Sequence, residues 1–274
     1  MNTILLATDF SKASFTAARY ACFLAEATRS SLHCTHIYHP FYYSIQGEIP
    51  DMTDLPLLLK HAEAAMEIFC KKLQSLHPDL SISSSCVNSE VSDGILTEAK
   101  EIKAKLIVLG TEGLTGLSYA LMGSTARSVA THSTIPVAVV PAALKKFQLR
   151  KVGFTTNFHA VEIPALHDFS QFFQPVPEII PIHFYAKEDE TASGQMHSWK
   201  KKADELSAVA VSAVHRLKTS SHSVGIRSFI RKEKPDALVV TRPDKPFFNR
   251  LAGRRFLRAT LHQSAIPVFF IPEH

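Results

Sequence analysis

The sequence predicts an α/β protein built from two tandem copies of one Rossmann-like unit. Each copy is a five-stranded parallel sheet wound on both faces by helices. Three observations predict this: an internal repeat, short β-branched runs alternating with amphipathic stretches, and glycines placed at one strand end and one helix start. The repeat takes precedence, because overlooking one mis-assigns a whole fold. Residues 151–158 (KVGFTTNF) repeat residues 3–10 (TILLATDF), and His183-Phe184-Tyr185 repeats His36-Ile37-Tyr38. Gly225-Ile226 answers Gly94-Ile95, and residues 266–272 (IPVFFIP) repeat residues 135–141 (IPVAVVP). The offset falls from 148 residues at the start to 131 at the end. The stretch 40–56, with its Pro and Tyr residues, therefore reads as a long loop that the second copy shortens. The copies are assigned to residues 1–144 and 151–274, with 145–150 as the linker, each long enough to bury a core of its own.

In the first copy the strands are expected at 3–8, 31–38, 81–87, 105–109 and 136–140, with helices near 12–28, 57–76, 92–103 and 124–132 between them. Leu106-Ile107-Val108-Leu109 is apolar without alternation. That pattern belongs to a strand buried on both faces, and strands alternating with helices imply a parallel sheet covered on both sides. Ligands of such sheets bind at the carboxyl ends of the strands, where the strand order reverses.

Composition bounds the function classes. Hydrophobic residues make up 46% and charged residues 20% of the 274, which excludes wholesale disorder. No apolar run reaches the roughly 18 residues a membrane span needs. Ile4-Leu5-Leu6-Ala7 meets Asp9 too early to be a signal-peptide core, so the cytoplasm is the expected compartment. Cys22, Cys34, Cys70 and Cys86 show none of the close spacings of zinc or redox sites and read as buried free thiols. The net charge of +5 is unevenly placed: −3 over residues 1–144 and +8 over 145–274. No aromatic-interleaved basic stripe accompanies it, so nucleic acid is not the expected partner.

The chemistry concentrates after the fourth strand, where Gly110-Thr111-Glu112-Gly113 is followed by nine residues and then Gly123-Ser124-Thr125 opening a helix. Glycine lets the backbone turn tightly and approach a ligand. Unpaired amides at a helix start, with the dipole behind them, suit a phosphate. Ser124 and Thr125 add hydroxyl donors.

This Gly110-x2-Gly113-x9-Gly123-Ser124 pattern resembles the nucleotide-binding signature of the universal stress protein family, and Ala7-Thr8-Asp9-Phe10-Ser11 and His36-Ile37 resemble it too. The resemblance covers the whole chain as two tandem domains and implies ATP, or ADP or AMP, in the first copy, with or without Mg2+. It implies Asp9 at the adenine end with Ala7, Thr8 and Ile37 around it. Leu109, Gly110 and Gly113 would lie along the ribose and α-phosphate, and Gly123, Ser124 and Thr125 at the outer phosphates. Glu112 stands where many members carry a basic or neutral residue; either its side chain points to solvent, as Glu generally does, or it would weaken affinity or make it depend on a cation. In that family two domains pair through their last strands, so the resemblance implies two copies related by a pseudo-two-fold, with Val137–Val140 and Val268–Ile271 meeting as an intrachain pseudo-dimer and a homodimer left open.

The second copy departs from the pattern. Gly110, Gly113, Gly123, Ser124 and Asp9 are answered by Thr241, Asp244, Arg254, Arg255 and Asn157, and Pro243 and Pro246 remove amide donors. It is therefore expected not to hold ATP in the family manner. Arg242, Lys245, Arg250, Arg254, Arg255 and Arg258 make either a solvated basic surface or a docking place for an anionic ligand or acidic partner. His33, His36 and His39 cannot all share one strand face, so they are not read as a metal site. His36 and His183, equivalent in the repeat, read as packing residues.

No Walker motif, HExxH or GxSxG appears, and no general base is evident. The expected function is a nucleotide-binding stress or signalling module with at most weak ATPase activity. The alternatives are a nucleotide-free scaffold and an ATP-using enzyme of the adenine nucleotide α-hydrolase group, whose topology this resembles but whose SGGxDS-like glycines the opening segment lacks.

Overall fold

The structure, a computed structural model, describes residues 2–39, 55–111, 123–173, 177–186, 192–206, 211–219, 221–242 and 265–272. The chain divides into two units, Met1–Ala143 and Leu144–His274.

In the first unit the elements run β1 (Thr3–Ala7), α1 (Lys12–Ala27), β2 (Ser31–Tyr38), α2 (Leu55–Leu76), β3 (Ile82–Asn88), α3 (Val91–Glu101), β4 (Leu106–Gly110), α4 (Ser124–His132) and β5 (Val137–Val140). All strand pairs are parallel, in the order β3-β2-β1-β4-β5. The order reverses between β1 and β4, which opens a crevice at their carboxyl ends. The unalternating apolar strand sits mid-sheet as its pattern requires: Leu106, Ile107 and Val108 are 1%, 0% and 0% exposed. Each such side chain contributes about 1.5–3 kcal/mol by leaving water. Helix α2 begins two residues earlier than the sequence pattern suggests, at Leu55-Pro56. Proline fits a first helical turn, where its missing N–H has no intrahelical partner to lose.

The second unit repeats the plan with β6 (Lys151–Thr155), α5 (Glu162–Phe172), β7 (Glu178–Tyr185), α6 (Ala192–Leu206), β8 (His215–Lys218), α7 (His222–Glu233), β9 (Ala237–Arg242) and β10 (Val268–Pro272). Its strands are again parallel, in the equivalent order β8-β7-β6-β9-β10. Its core is more aromatic. Phe154, Phe229, Phe269 and Trp199 are all buried, and Phe154 and Trp199 stand 6.0 Å apart.

One close approach recurs in both units. A Cβ on Gly94 of α3 would lie 2.9 Å from Ile37 Cδ1, and one on Gly225 of α7 would lie 2.9 Å from Phe184 Cδ1. Only glycine lets each helix settle onto the end of its strand. Among the described residues, no helix is long and apolar enough to cross a membrane.

Candidate functional site

At the end of β1 the chain turns sharply. The Thr8 N–H donates to Thr35 O at 2.9 Å. Phe10 then adopts φ 63°, and its N–H donates to Thr8 Oγ1 at 3.0 Å. A left-handed Phe costs roughly 1–2 kcal/mol. Ring packing offsets this, because Phe10 lies 4.5 Å from the His36 ring and 5.7 Å from Phe69. Asp9 Oδ1 accepts from Ser11 N–H at 3.0 Å, and Ser11 Oγ caps α1 by accepting from Ser14 N–H at 3.1 Å. Thr8 Oγ1 and Ser14 Oγ close the turn at 3.0 Å.

His36 fixes this turn from β2. Its Nδ1–H donates to Thr8 O at 2.8 Å, which sets the tautomer and leaves Nε2 as an acceptor. That Nε2 is buried and has no partner among the described residues. Burial pushes the His36 pKa down, against the opposing pull of the Thr8 hydrogen bond and the Asp9 charge, so the ring is held neutral. The side chains of Ala7, Thr8, Ile37 and Leu109 are at most 9% exposed, whereas Asp9 is half-buried.

Across the crevice, Gly110 ends β4 opposite Val140, and Thr111 N–H extends the ladder to Val140 O at 3.0 Å. Gly123 is the N-cap of α4 and makes no side-chain cap, having no side chain. Its N–H already donates to Thr111 O at 2.8 Å, and its carbonyl accepts the first helical bond, from Arg127 N–H at 3.2 Å. The donors with no intrahelical partner are therefore those of Ser124, Thr125 and Ala126. Gly123, read from the sequence as an outer-phosphate ligand, here ties the strand end to the helix and aims it. A Cβ on Gly123 would press to 3.3 Å from Thr111 O. Glu112 and Gly113 lie outside the described residues.

The structure thus brings Ala7, Thr8 and Asp9 to the carboxyl end of β1, Ile37 to that of β2 and Leu109 and Gly110 to that of β4, and it sets Ser124 and Thr125 at an uncapped helix start. His33 belongs to a different cluster. Its Nδ1 meets Ser83 Oγ at 2.8 Å and its Nε2 meets Glu98 Oε1 at 3.0 Å, beneath α3. Among the described residues no group of His, Cys, Asp or Glu is arranged to hold a metal ion.

The second unit reproduces the turn and alters its chemistry. Phe158 has φ 64° and its N–H donates to Thr156 Oγ1 at 2.8 Å; its ring lies 4.6 Å from His183, whose Nδ1–H donates to Thr156 O at 2.9 Å. The place of Ser14, however, is taken by Glu162. This carboxylate is 2% exposed and accepts from Thr156 Oγ1–H and, at 2.8 Å, from Asn157 N–H. Burial raises the Glu162 pKa despite these hydrogen bonds. Where the first unit has Gly110, the second has Thr241, 7% exposed and paired with Ile271. Arg242 follows at the strand end, its pKa lowered by burial. Pro243, Asp244, Lys245, Pro246, Arg250, Arg254, Arg255 and Arg258 lie outside the described residues.

Sequence reasoning missed the roles of Phe10, Ser14 and Thr111. The Phe10–Phe158 and His36–His183 equivalences were visible in the repeat, but a positive φ leaves no mark on a Phe.

The model of the universal stress protein family matches residues 1–141, slightly more than half of the chain. The chain belongs to the universal stress protein family. The universal stress protein YxiE of Bacillus subtilis is 42% identical over 53 residues, a stretch that makes up 19% of this chain and 36% of that protein. A universal stress protein from Archaeoglobus fulgidus is alike in fold over 99% of this chain and 96% of its own, with a TM-score of 0.71 at 15% identity. A functionally unknown protein from Pseudomonas aeruginosa is alike over 100% and 93%, with a TM-score of 0.62 at 14% identity. These universal stress protein and related folds span both units.

Proposed function

We propose that the first unit binds an adenine nucleotide, ATP or its di- or monophosphate, and that binding rather than turnover is its function. The observation that carries this reading is the open start of α4, where an N-cap without a side chain leaves the Ser124, Thr125 and Ala126 amides directed away from the helix at the carboxyl edge of β4. Such a terminus stabilises a phosphate through several charge-assisted hydrogen bonds at once. The group fits the residues present: Leu109 and Gly110 flank the path from α4 to β1, and Ala7, Thr8, Ile37 and Asp9 edge its far end. The choice of adenine follows the family resemblance. When bound, the nucleotide supplies the anionic charge, and the chain supplies the amides and the Ser124 and Thr125 hydroxyls. Asp9 serves the turn by accepting from Ser11, which supports a positioning rather than a basic role.

The second unit is proposed as a degenerate copy. A buried Glu162 closes its turn, and a side chain at Thr241 stands where the first unit has glycine, and both disfavour a bound polyphosphate. Mass spectrometry of small molecules released on denaturing the purified chain tests the proposal, together with calorimetric titration by ATP with and without Mg2+. An adenine nucleotide released, or one-site binding, is expected. A nucleotide-free protein whose melting temperature is unmoved by millimolar ATP and Mg2+ overturns the proposal in favour of a scaffold.

A further inference from the structure

The second unit carries a hollow between the start of α5 and the first turns of α6. Its volume is about 370 Å³, within the range of small-molecule sites. Phe158, Ile163 and Trp199 form its floor and are 8%, 3% and 2% exposed. Its rim is polar: His159, Gln195, Ser198 and Lys202, all exposed, stand around the opening, and Gly194 leaves one side bare.

The first unit shows what fills the equivalent place. There Phe15 takes the position of Ile163, with its ring centre 5.9 Å from that of Phe69 and the Lys72 Nζ 4.2 Å above its face. Phe10 meets Phe69 at 5.7 Å and 68°, and Phe158 meets Trp199 at 6.3 Å and 67°, so Phe69 and Trp199 are counterparts. In the same register Met66 answers Met196 and Lys72 answers Lys202. Differences within this register open the hollow. Ile163 in place of Phe15 removes a ring, Gly194 in place of Ala64 removes a methyl, and Ser198 in place of Ile68 exchanges an apolar side chain for a hydroxyl. The lysine is kept where the ring is lost.

We propose that this hollow binds a small planar aromatic carboxylate, with its ring against Phe158 and Trp199 and its charge at Lys202. The aromatic floor selects a flat ring, which it contacts as the first unit contacts its own Phe15. Charge sets the sign of the ligand. None of the residues lining the hollow is acidic. Lys200 and Lys201 are paired with Asp204 and Glu205 at 2.5 Å and 3.9 Å, whereas Lys202 has no ion pair among the described residues. With the Ser198 hydroxyl and the Gln195 amide it offers donors that a carboxylate satisfies through charge-assisted hydrogen bonds. The hollow belongs to the second unit and does not depend on a nucleotide in the first.

The test is titration of the isotope-labelled full chain followed by nuclear magnetic resonance. Trp199 is the one tryptophan, so the single indole N–H resonance reports on the floor of the hollow. Benzoate is the probe, with benzyl alcohol as the uncharged comparison and cyclohexanecarboxylate as the non-aromatic one. Benzoate is expected to shift the resonance saturably in the millimolar range, about tenfold more tightly than either comparison. A Cβ on Gly194 meets nothing within 4 Å, so Gly194→Leu plugs the opening without pressing on the fold. That variant, and Ile163→Phe, which restores the ring of the first unit, should each weaken benzoate about tenfold, and Lys202→Met should do so while leaving benzyl alcohol unchanged. No shift with millimolar benzoate, equal affinity for benzoate and benzyl alcohol, or undiminished binding in either plugged variant overturns the proposal. ATP shifting the indole resonance as benzoate does overturns it in favour of a nucleotide in the second unit. The wild-type titrations decide the matter even if a variant fails to fold.

Discussion

The β1–α1 turn and the β6–α5 turn share their backbone and differ in what they bury. Both place a Phe at φ near 63° over a His whose Nδ1–H holds the preceding threonine carbonyl. In the first unit two hydroxyls, Thr8 and Ser14, close the turn, and in the second a carboxylate, Glu162, does so. The shared parts are those that make the turn. The position that differs sets the electrostatics at the strand ends, so duplication kept the scaffold while the chemistry drifted.

The sharpest way to break this contrast is at α4. Gly123→Val in the first unit should lower ATP affinity roughly 100-fold by calorimetry, the equivalent of losing one or two hydrogen bonds to a charged group. Thr241→Gly in the second unit should gain no binding. Equal affinity in the wild type and Gly123→Val would place the nucleotide elsewhere.

The equivalence of the two scaffolds is tested at the paired glycines. Gly94→Ala and Gly225→Ala each insert a methyl 2.9 Å from a packed side chain. Each should destabilise its own unit by about 1–3 kcal/mol in urea unfolding. A loss in one unit alone would show that the second helix approach is not a true counterpart of the first.

The pH response should run in opposite directions in the two turns. Glu162 has a folded-state pKa raised above 4.5, so its contribution is present below that pH and is lost as pH rises through the raised value. His36 has a folded-state pKa lowered below 6.5, so its contribution is present above 6.5 and is lost as pH falls through the lowered value. Hydrogen exchange read peptide by peptide separates the units. Glu162→Gln should flatten the decline of the second unit from pH 4.5 upward, and His36→Gln the decline of the first below pH 6.5.

The smallest effect concerns the helix ends that the repeat also preserves. Lys103 and Lys234 sit at φ 53° and 50° after α3 and α7. Lys103→Gly and Lys234→Gly should each stabilise by about 1 kcal/mol in thermal unfolding, since glycine enters the left-handed region without a Cβ clash.

The sequence by itself determined the elements and their duplication. Apolar periodicity is a local property, so Leu106–Val108 declared a buried central strand, and the 148- and 131-residue offsets declared a second copy, before any contact was known. Tertiary packing alone decided how Gly123 is used, because its amide is claimed by the carbonyl of Thr111, twelve residues earlier in the chain. Packing likewise decided that Phe10 is left-handed, since the rings of His36 and Phe69 and the Thr8 hydroxyl that hold it there come together only in the fold. Hydrogen-bond partners and burial depend on which distant residues the fold brings together, and no local pattern carries that information.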